Sequence, residues 1–381
     1  MVRVLHLGKY YPPFAGGMEQ FLGDLLPALQ TEGIEPAALV HAHGCPERSQ
    51  TPFPLWRVPT WGRLLYTPVS PAYPLWLTRM IQSFRPDLLH IHLPNPSAFW
   101  ALALPAAKRL PWVIHWHADV VPSKIDPRLA WAYRLYRPPE QALLRHSAKI
   151  IATSPPYRDS SETLKPWRDK TEIVPLGLDP TRLPPPDADD RAWAEGQWRP
   201  GMLRALCIGR LTYYKGHRVL LEAVAQCGGV QLISVGGGEL LADLEHQIRE
   251  KSLQERVRLT EALPDNQRNA LLATCDVVVL PSLERTEAFG LVLLEAMAYG
   301  KPVIATRVAG SGMGWVVEHG VTGLLVGPGD AAALARAIEF MREYPVKRKG
   351  MSEAGKAQLA RRFHIRQCAA RIATIYELIR S

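Results

Sequence analysis

The stretch PSLERTEAFGLVLLEAMAYGKPVIAT, Pro281–Thr306, decides how the chain is read. It leaves one short apolar run, CDVVVLP (Cys275–Pro281), and arrives at another, PVIAT (Pro302–Thr306). Between them Leu291, Val292, Leu294, Ala296 and Met297 predict a helix that is mostly buried. Strand, helix and strand at this spacing make a unit of a parallel α/β sheet. Two carboxylates, Glu287 and Glu295, stand eight residues apart with Phe289-Gly290 between them. If that whole span were helical they would be separated by a rise of about 12 Å and would sit at different depths. A loop glutamate and a solvated helix glutamate are the plainer alternative. The apolar positions argue against it, because they bury most of the helix.

The same alternation extends in both directions. Downstream of residue 202 it gives LRALCIG (Leu203–Gly209), VQLISVG (Val230–Gly236), VRLT (Val257–Thr260) and GLLV (Gly323–Val326). Upstream it gives VRVLHL (Val2–Leu7), then strands at Pro36–Val40, Asp87–His92, Trp112–Trp116, Lys149–Thr153 and Glu172–Pro175. Met18, Phe21, Leu22, Leu25, Leu26 and Leu29 fall on one face of the helix that follows the first strand. A Pro- and Asp-rich segment without periodicity separates the two series and reads as a linker. The expected architecture is therefore two Rossmann-like parallel-sheet domains, 1–180 and 202–364, facing a central cleft and joined by a linker at 181–201. A last helix at 365–381 is expected to return to the first domain. Helices are expected at Asp330–Glu343, Val346–Arg362 and Ile365–Arg380.

Composition narrows the class. The chain has 381 residues, 47% hydrophobic and 21% charged, which suits packed domains and not disorder. No 18-residue apolar run is present, so a membrane-spanning helix is not expected, and MVRVLHLG reads as a strand and not a signal peptide. Five scattered cysteines with no C-x-x-C look like buried apolar residues in a reducing compartment. The net charge of +9 is uneven: Pro345–Ser381 carries nine basic and two acidic residues. Arg48–Pro86 holds five arginines and no acid, mixed with Trp56, Trp61, Tyr66, Tyr73 and Trp76. Arginine among tryptophans and tyrosines suits an anionic membrane surface, and a solvated loop with some aromatic packing is the plainer alternative. No nucleic-acid-binding module appears, so a nucleic-acid partner is not expected.

Several loops carry polar chemistry. Gly16-Gly17 precedes a helix, where backbone N–H groups and the helix dipole can meet an anion. Arg210 and Lys215 lie in a strand-to-helix loop, the edge where parallel sheets bind ligands, and suit a diphosphate clamp. Gly236-Gly237-Gly238 follows the next strand, with Gly237 a candidate nucleotide contact. Neither G-x-G-x-x-G nor G-x-x-x-x-G-K-[ST] occurs, which speaks against a nicotinamide dehydrogenase or a P-loop enzyme. Three H-x-H pairs, His41/His43, His90/His92 and His115/His117, are expected at strand ends. No carboxylate set joins them, so no metal site is expected. Asp187-Ala-Asp189 lies in the linker and reads as solvated charge.

Pro281–Thr306 resembles the E-x7-E signature of glycosyltransferase family 4, retaining enzymes of the two-domain GT-B fold. Gly16-Gly17, His117 with Asp119, Arg210 with Lys215, and Glu287 with Glu295 fall in that family's order. The resemblance implies that Arg210 and Lys215 hold the diphosphate of a nucleotide sugar, that Glu287 meets the transferred sugar and that Glu295 meets the ribose. It implies backbone contacts from Ala288, Phe289, Gly290 and Leu291, and a contact from Gly16-Gly17 to the phosphate and sugar. His117 would lie near the reacting carbon, with Asp119 and His92 toward the acceptor. DLLHIHLPNP, HWHADV, IIATSPPY and RTEAFGLVLLEAMAYG resemble bacterial mannosyl- and rhamnosyltransferases of surface polysaccharide synthesis.

The expected activity is thus hexosyl transfer, mannose-like favoured, to a lipid-linked or saccharide acceptor. The donor would be a GDP-sugar in preference to a UDP-sugar, with no metal or other cofactor. The enzyme would be cytoplasmic and peripheral on the inner face of the membrane. Breaking a sugar–phosphate bond leaves negative charge on the departing diphosphate, which fixed cations and N–H dipoles can stabilise. A nucleotide-sugar epimerase of the same fold would release an epimer without an acceptor. A non-catalytic subunit would bind the nucleotide sugar without hydrolysing it.

Overall fold

The computed structural model describes residues 1–44, 51–64, 67–120 and 127–380, with no side chains described at 64 and 127–132. The chain divides into two compact units, Met1–Gly177 together with Ile365–Ser381, and Leu178–His364.

In the first unit, β1 (Val2–Leu7), β2 (Ile34–His41) and β3 (Leu55–Val58) open a sheet, and β4 (Gly62–Leu64) and β5 (Thr67–Val69) form a separate antiparallel hairpin. The sheet continues with β6 (Leu88–Leu93), β7 (Trp112–Trp116), β8 (Lys149–Ala152) and β9 (Thr171–Ile173). Its order is β3-β2-β1-β6-β7-β8-β9, parallel throughout. Burial on both faces explains why β1, β6 and β7 read as continuous apolar runs instead of alternating. Phe21, Leu22, Leu25, Leu26 and Leu29 of helix Gly17–Thr31 are at most 1% exposed. Burying each such side chain contributes roughly 1.5–3 kcal/mol.

The second unit holds β10 (Leu203–Ile208), β11 (Val230–Val235), β12 (Val257–Thr260), β13 (Val277–Leu280), β14 (Val303–Thr306) and β15 (Gly323–Val326). They run parallel in the order β12-β11-β10-β13-β14-β15. Leu220, Val224, Leu232, Val277, Ile304 and Ile338 lie in one core against this sheet.

One expectation needs correcting. Residues 181–201 are not a free linker but part of the second unit. Asp187 accepts from the Asp190 amide at 2.8 Å and caps helix Ala188–Glu195, which packs on helix Asp265–Thr274. The Asp-Ala-Asp triplet is therefore a helix start, and periodicity missed it because only eight residues are helical. The basic C-terminal stretch, for its part, is divided between the two units. The chain leaves the second unit through helix Pro345–Gln358 and a widened turn at Leu359–Phe363, and re-enters the first as helix Ile365–Arg380. At least four of its nine cations are engaged within the protein. Arg348 pairs with Asp276 at 3.2 Å, Arg362 with Glu318 at 3.7 Å and Arg380 with Asp87 at 3.6 Å, while Arg371 donates to the Ile173 carbonyl at 2.8 Å.

The aromatic segment Arg48–Pro86 is also mixed. Tyr73 is fully buried and stacks on His41, and Trp56 packs edge-on to Phe84. Trp61, by contrast, is 81% exposed beside the hairpin, where the Arg63 guanidinium lies over the rings of Tyr10 and Phe14. Arg48 and Tyr66 fall outside the described residues. The four described cysteines, Cys207, Cys227, Cys275 and Cys368, are buried and unbridged. No described helix is long and apolar enough to cross a membrane.

Candidate active site

In the second sheet the strand order reverses at β10, whose neighbours are β11 and β13. Loops leaving the carboxyl ends of β10 and β13 therefore emerge side by side, the usual ligand position in such sheets. The first loop carries Arg210 and Lys215, the second Glu287. They are tied directly: the Leu283 amide donates to the Tyr214 carbonyl at 2.7 Å. Gly216 makes this contact feasible. It adopts φ 72°, and a Cβ there would meet the Pro281 carbonyl oxygen at 2.0 Å.

Lys215 Nζ donates to Glu287 Oε2, and both side chains are nearly buried, at 14% and 13% exposure. Burial pulls the lysine pKa down, but Glu287, with help from Tyr214 and Cys207, outweighs it and leaves the value raised. Lys215 is thus held as a cation. Arg210 is exposed and forms no ion pair among the described residues. Its loop is pinned from below by His217, whose Nε2 lies 3.1 Å from the Arg210 carbonyl, and by the Leu211 amide donating to the Gly237 carbonyl at 3.0 Å. Gly237 therefore braces the cation loop through its carbonyl.

The span from Glu287 to Glu295 is not one helix. Glu287 lies in a loop held by Ser311, whose Oγ donates to the Glu287 carbonyl at 2.5 Å, and by the Gly312 amide donating to the Ala288 carbonyl at 2.7 Å. Helix Leu291–Ala298 starts only after Gly290, at φ 79°, and no side chain caps it. Its first N–H groups are thus available to an anion. Phe289 is buried against Phe363 and anchors the turn. Glu295 is on the helix, 6% exposed, with Arg182 Nη2 at 3.4 Å. Arg182 was invisible to sequence reading because it lies in the segment taken for a linker. Tyr299 Oη donates to the Pro184 carbonyl at 2.9 Å and fastens that segment to the same helix.

In the first unit, Gly16 precedes helix Gly17–Thr31 and no side chain caps it. Glu19, 6% exposed, fills the space a Gly16 Cβ would take, so a carboxylate shares this turn with whatever binds there. Asp119 Oδ1 accepts from Trp116 Nε1 at 2.7 Å and Ser161 Oγ at 2.8 Å. One oxygen of this residue therefore secures the turn after β7. Nearby Glu140 is 1% exposed; burial first, and then Asp119, push its carboxyl up to about 8.

The histidine pairs are not all at strand ends, as expected, because His90, His92 and His115 lie within β6 and β7. Register sets His6 beside His90 and His92 beside His115 on one sheet face. With His117 this makes five buried imidazoles, and His6 was not anticipated. His92 Nδ1 lies 2.9 Å from His117 Nε2, and His92 Nε2 lies 3.1 Å from His6 Nδ1. His92 is therefore fully buried with both nitrogens engaged, which corrects its assignment as a direct acceptor contact. His41, in contrast, is fastened to the Lys9 carbonyl at 2.7 Å and Ser97 Oγ at 2.9 Å. His6, His90 and His92, and His92, His115 and His117, each bring ring nitrogens within 4.8 Å of one another. These are the described side chains with metal-ligating geometry.

Two parallel sheets, with a fixed cation and an uncapped helix start at the reversal point of the second, fit the two-domain GT-B class. Family comparison agrees. The family described as "Glycosyl transferase 4-like domain" matches residues 16–177, and "Glycosyl transferases group 1" matches residues 194–358. The chain belongs to glycosyltransferase family 4. It is 30% identical over 367 residues to a D-rhamnosyltransferase of Pseudomonas aeruginosa, covering 95% of this chain and 92% of that one. It is 31% identical over 344 residues to O-antigen chain mannosyltransferase C of Escherichia coli, covering 88% of each. Sucrose-phosphate synthase of Thermosynechococcus elongatus shares the fold, with TM-score 0.81 at 24% identity over 100% of this chain and 99% of that one.

Proposed function

We propose that the protein is a retaining hexosyltransferase that moves a mannose-like sugar from a nucleotide diphosphate donor to a lipid-linked or saccharide acceptor in polysaccharide synthesis. The reading rests on one observation: Lys215 is kept charged at the reversal point of the second sheet, beside the uncapped N-terminus at Gly290. A departing diphosphate needs that pairing of a fixed cation with N–H dipoles. Arg210, exposed on the same loop, adds a second cation with paired donors. Glu287 takes the transferred sugar's hydroxyls, and Glu295, on the helix behind, takes the ribose. Gly16 and Gly17 are proposed as a further donor contact, and the first unit as the holder of the acceptor.

The names of the two relatives, a rhamnosyl- and a mannosyltransferase, support a mannose-like sugar, and a GDP-linked donor is proposed in preference to a UDP-linked one. No nucleophilic carboxylate is assigned; the leaving phosphate is proposed to accept the acceptor's proton, and no metal is proposed to take part. Exposed Trp61 with Arg63 supports a peripheral contact with the anionic inner face of the membrane.

Thermal-shift titration with GDP-, UDP-, TDP- and ADP-sugars tests the reading. Stabilisation by one nucleotide class, followed by acceptor-dependent transfer with retained anomeric configuration in EDTA, is the expected result. Release of an epimer without acceptor, or turnover abolished by EDTA, would overturn it.

A further inference from the structure

We propose that His217 is a positioning residue for the donor clamp: backed by Ser234 and Cys207, it fixes the backbone from which Arg210 reaches the departing diphosphate. This rests on the reading above, in which Arg210 is the second cation of that clamp.

The strand pattern prepares the place. β10 and β11 pair so that Cys207 stands opposite Ser234. Leu203 and Ala205 on one strand, and Val230 and Leu232 on the other, share their sheet face and belong to the apolar core. Helix His217–Gln226 packs into that core through Leu220, Leu221 and Val224. The face turns polar at the carboxyl end of the two strands, where His217, the first residue of the helix, comes to lie. Cys207, Ser234 and His217 are each at most 3% exposed. A buried imidazole is costly unless its nitrogens are bonded. Here both are engaged. Nε2 lies 3.1 Å from the Arg210 carbonyl, and Nδ1 lies 3.4 Å from Ser234 Oγ and 3.8 Å from Cys207 Sγ.

These partners fix the tautomer. A carbonyl accepts and never donates, so Nε2 carries the hydrogen. Nδ1 is then the acceptor and faces a hydroxyl and a thiol, either of which can donate. Burial, opposed by the Arg210 bond and aided by Lys215, lowers the ring to about 4, so it is neutral at pH 7.

The Arg210 guanidinium is exposed, so its aim depends on its backbone. Within the loop, the Thr212 amide donates to the Arg210 carbonyl at 2.9 Å. From outside the loop, His217 donates to the same oxygen, the one side chain among the described residues that bonds to Arg210's backbone. The following peptide is held by main chain: the Leu211 amide on the Gly237 carbonyl at 3.0 Å, and the Leu240 amide on the Leu211 carbonyl at 3.1 Å. A long side chain rooted in a fixed peptide has less freedom to lose when it closes on a phosphate.

Amide hydrogen exchange tests the positioning without nucleotide or transfer. His217→Leu removes the donor and should speed exchange at Leu211 and Thr212 roughly tenfold, the effect of losing about one buried hydrogen bond. His217→Gln keeps an N–H near the place of Nε2 and should restore wild-type exchange. Exchange in β14 of the same sheet should be unchanged in both. Equal exchange in the two variants would leave His217 a packing role and overturn the proposal. Nitrogen NMR of histidine-labelled wild-type protein needs no leucine variant. The ring whose signals vanish in His217→Gln should show a protonated Nε2 and a bare Nδ1. The reverse tautomer, or an imidazolium at pH 7, would equally defeat it.

Titration with GDP and with UDP then locates the effect at Arg210. For whichever nucleotide wild type binds, His217→Leu and Arg210→Ala should each weaken affinity roughly tenfold, and the double variant no further than Arg210→Ala alone. Additive losses would mean that His217 acts elsewhere, against the proposal. Failure of the glycosyltransferase reading looks different: neither nucleotide would bind wild type, which removes Arg210's role toward a diphosphate while the exchange and NMR results stand.

Discussion

Lys215 and Glu287, 72 residues apart in the chain, form an ion pair at the point where the second sheet reverses its strand order. Neither side chain belongs to a regular strand or α-helix of that sheet. Two loops meet there because β10 and β13 are neighbours. The ion pair holds the lysine charged and aimed before any substrate arrives.

Lys215→Ala should therefore remove transition-state stabilisation of about 3–4 kcal/mol, a loss of roughly 10²–10³ in kcat. Initial rates at saturating nucleotide sugar measure it, with the thermal midpoint as a control for folding. Turnover within a factor of a few of wild type would rule out the clamp.

Glu295 behaves differently in this scheme, because it is buried on a helix beside Arg182 and is assigned to the ribose. Glu295→Ala should raise KM for the donor about tenfold while kcat changes little, the signature of a lost uniform binding contact. Arg182→Ala should shift the same parameter in the same direction. Separate measurement of kcat and KM distinguishes this from a general loss of activity.

Acid should unfold the protein early. The histidines of the first sheet are buried neutral, two of them lowered from 6.5 to about 3. The unfolded chain binds these protons below about pH 6.5 while the native state does not. Stability is therefore complete above that value and lost as pH falls toward 3. Each such histidine contributes a slope of roughly 1.4 kcal/mol per pH unit within the window. Urea midpoints between pH 7 and pH 4 should fall steeply, and His115→Gln should flatten the curve. A stability flat over that range would contradict the neutral, buried state of the cluster.

Trp61 and Arg63 make the proposed membrane contact testable at a single place. Flotation with anionic vesicles should be salt-sensitive and weakened several-fold in a Trp61→Ala, Arg63→Ala double variant. Equal flotation with neutral vesicles would argue against electrostatic attachment.

Much of this site can be read in the primary structure. The apolar run Leu291–Met297 announces a buried helix, and Lys215 stands in a strand-to-helix loop whatever the partner strands are. Other parts cannot be read there. Glu287 is a loop residue because Gly290, at φ 79°, starts the helix late, and local periodicity cannot locate that start within a few residues. Arg182 sits in a segment without a pattern and acquires meaning only beside Glu295.

The sequence alone determined two series of parallel strands and helices, a pair of loop cations and two acids at E-x7-E spacing. Each of these follows from short-range chemistry: side-chain periodicity, turn residues and charge. Only the tertiary structure decided that β10 pairs with both β11 and β13, that β1, β6 and β7 align four imidazoles with His117 just beyond them, and that the basic C-terminal stretch splits between two units. Strand order and register depend on which distant apolar faces bury one another, and no local pattern carries that information.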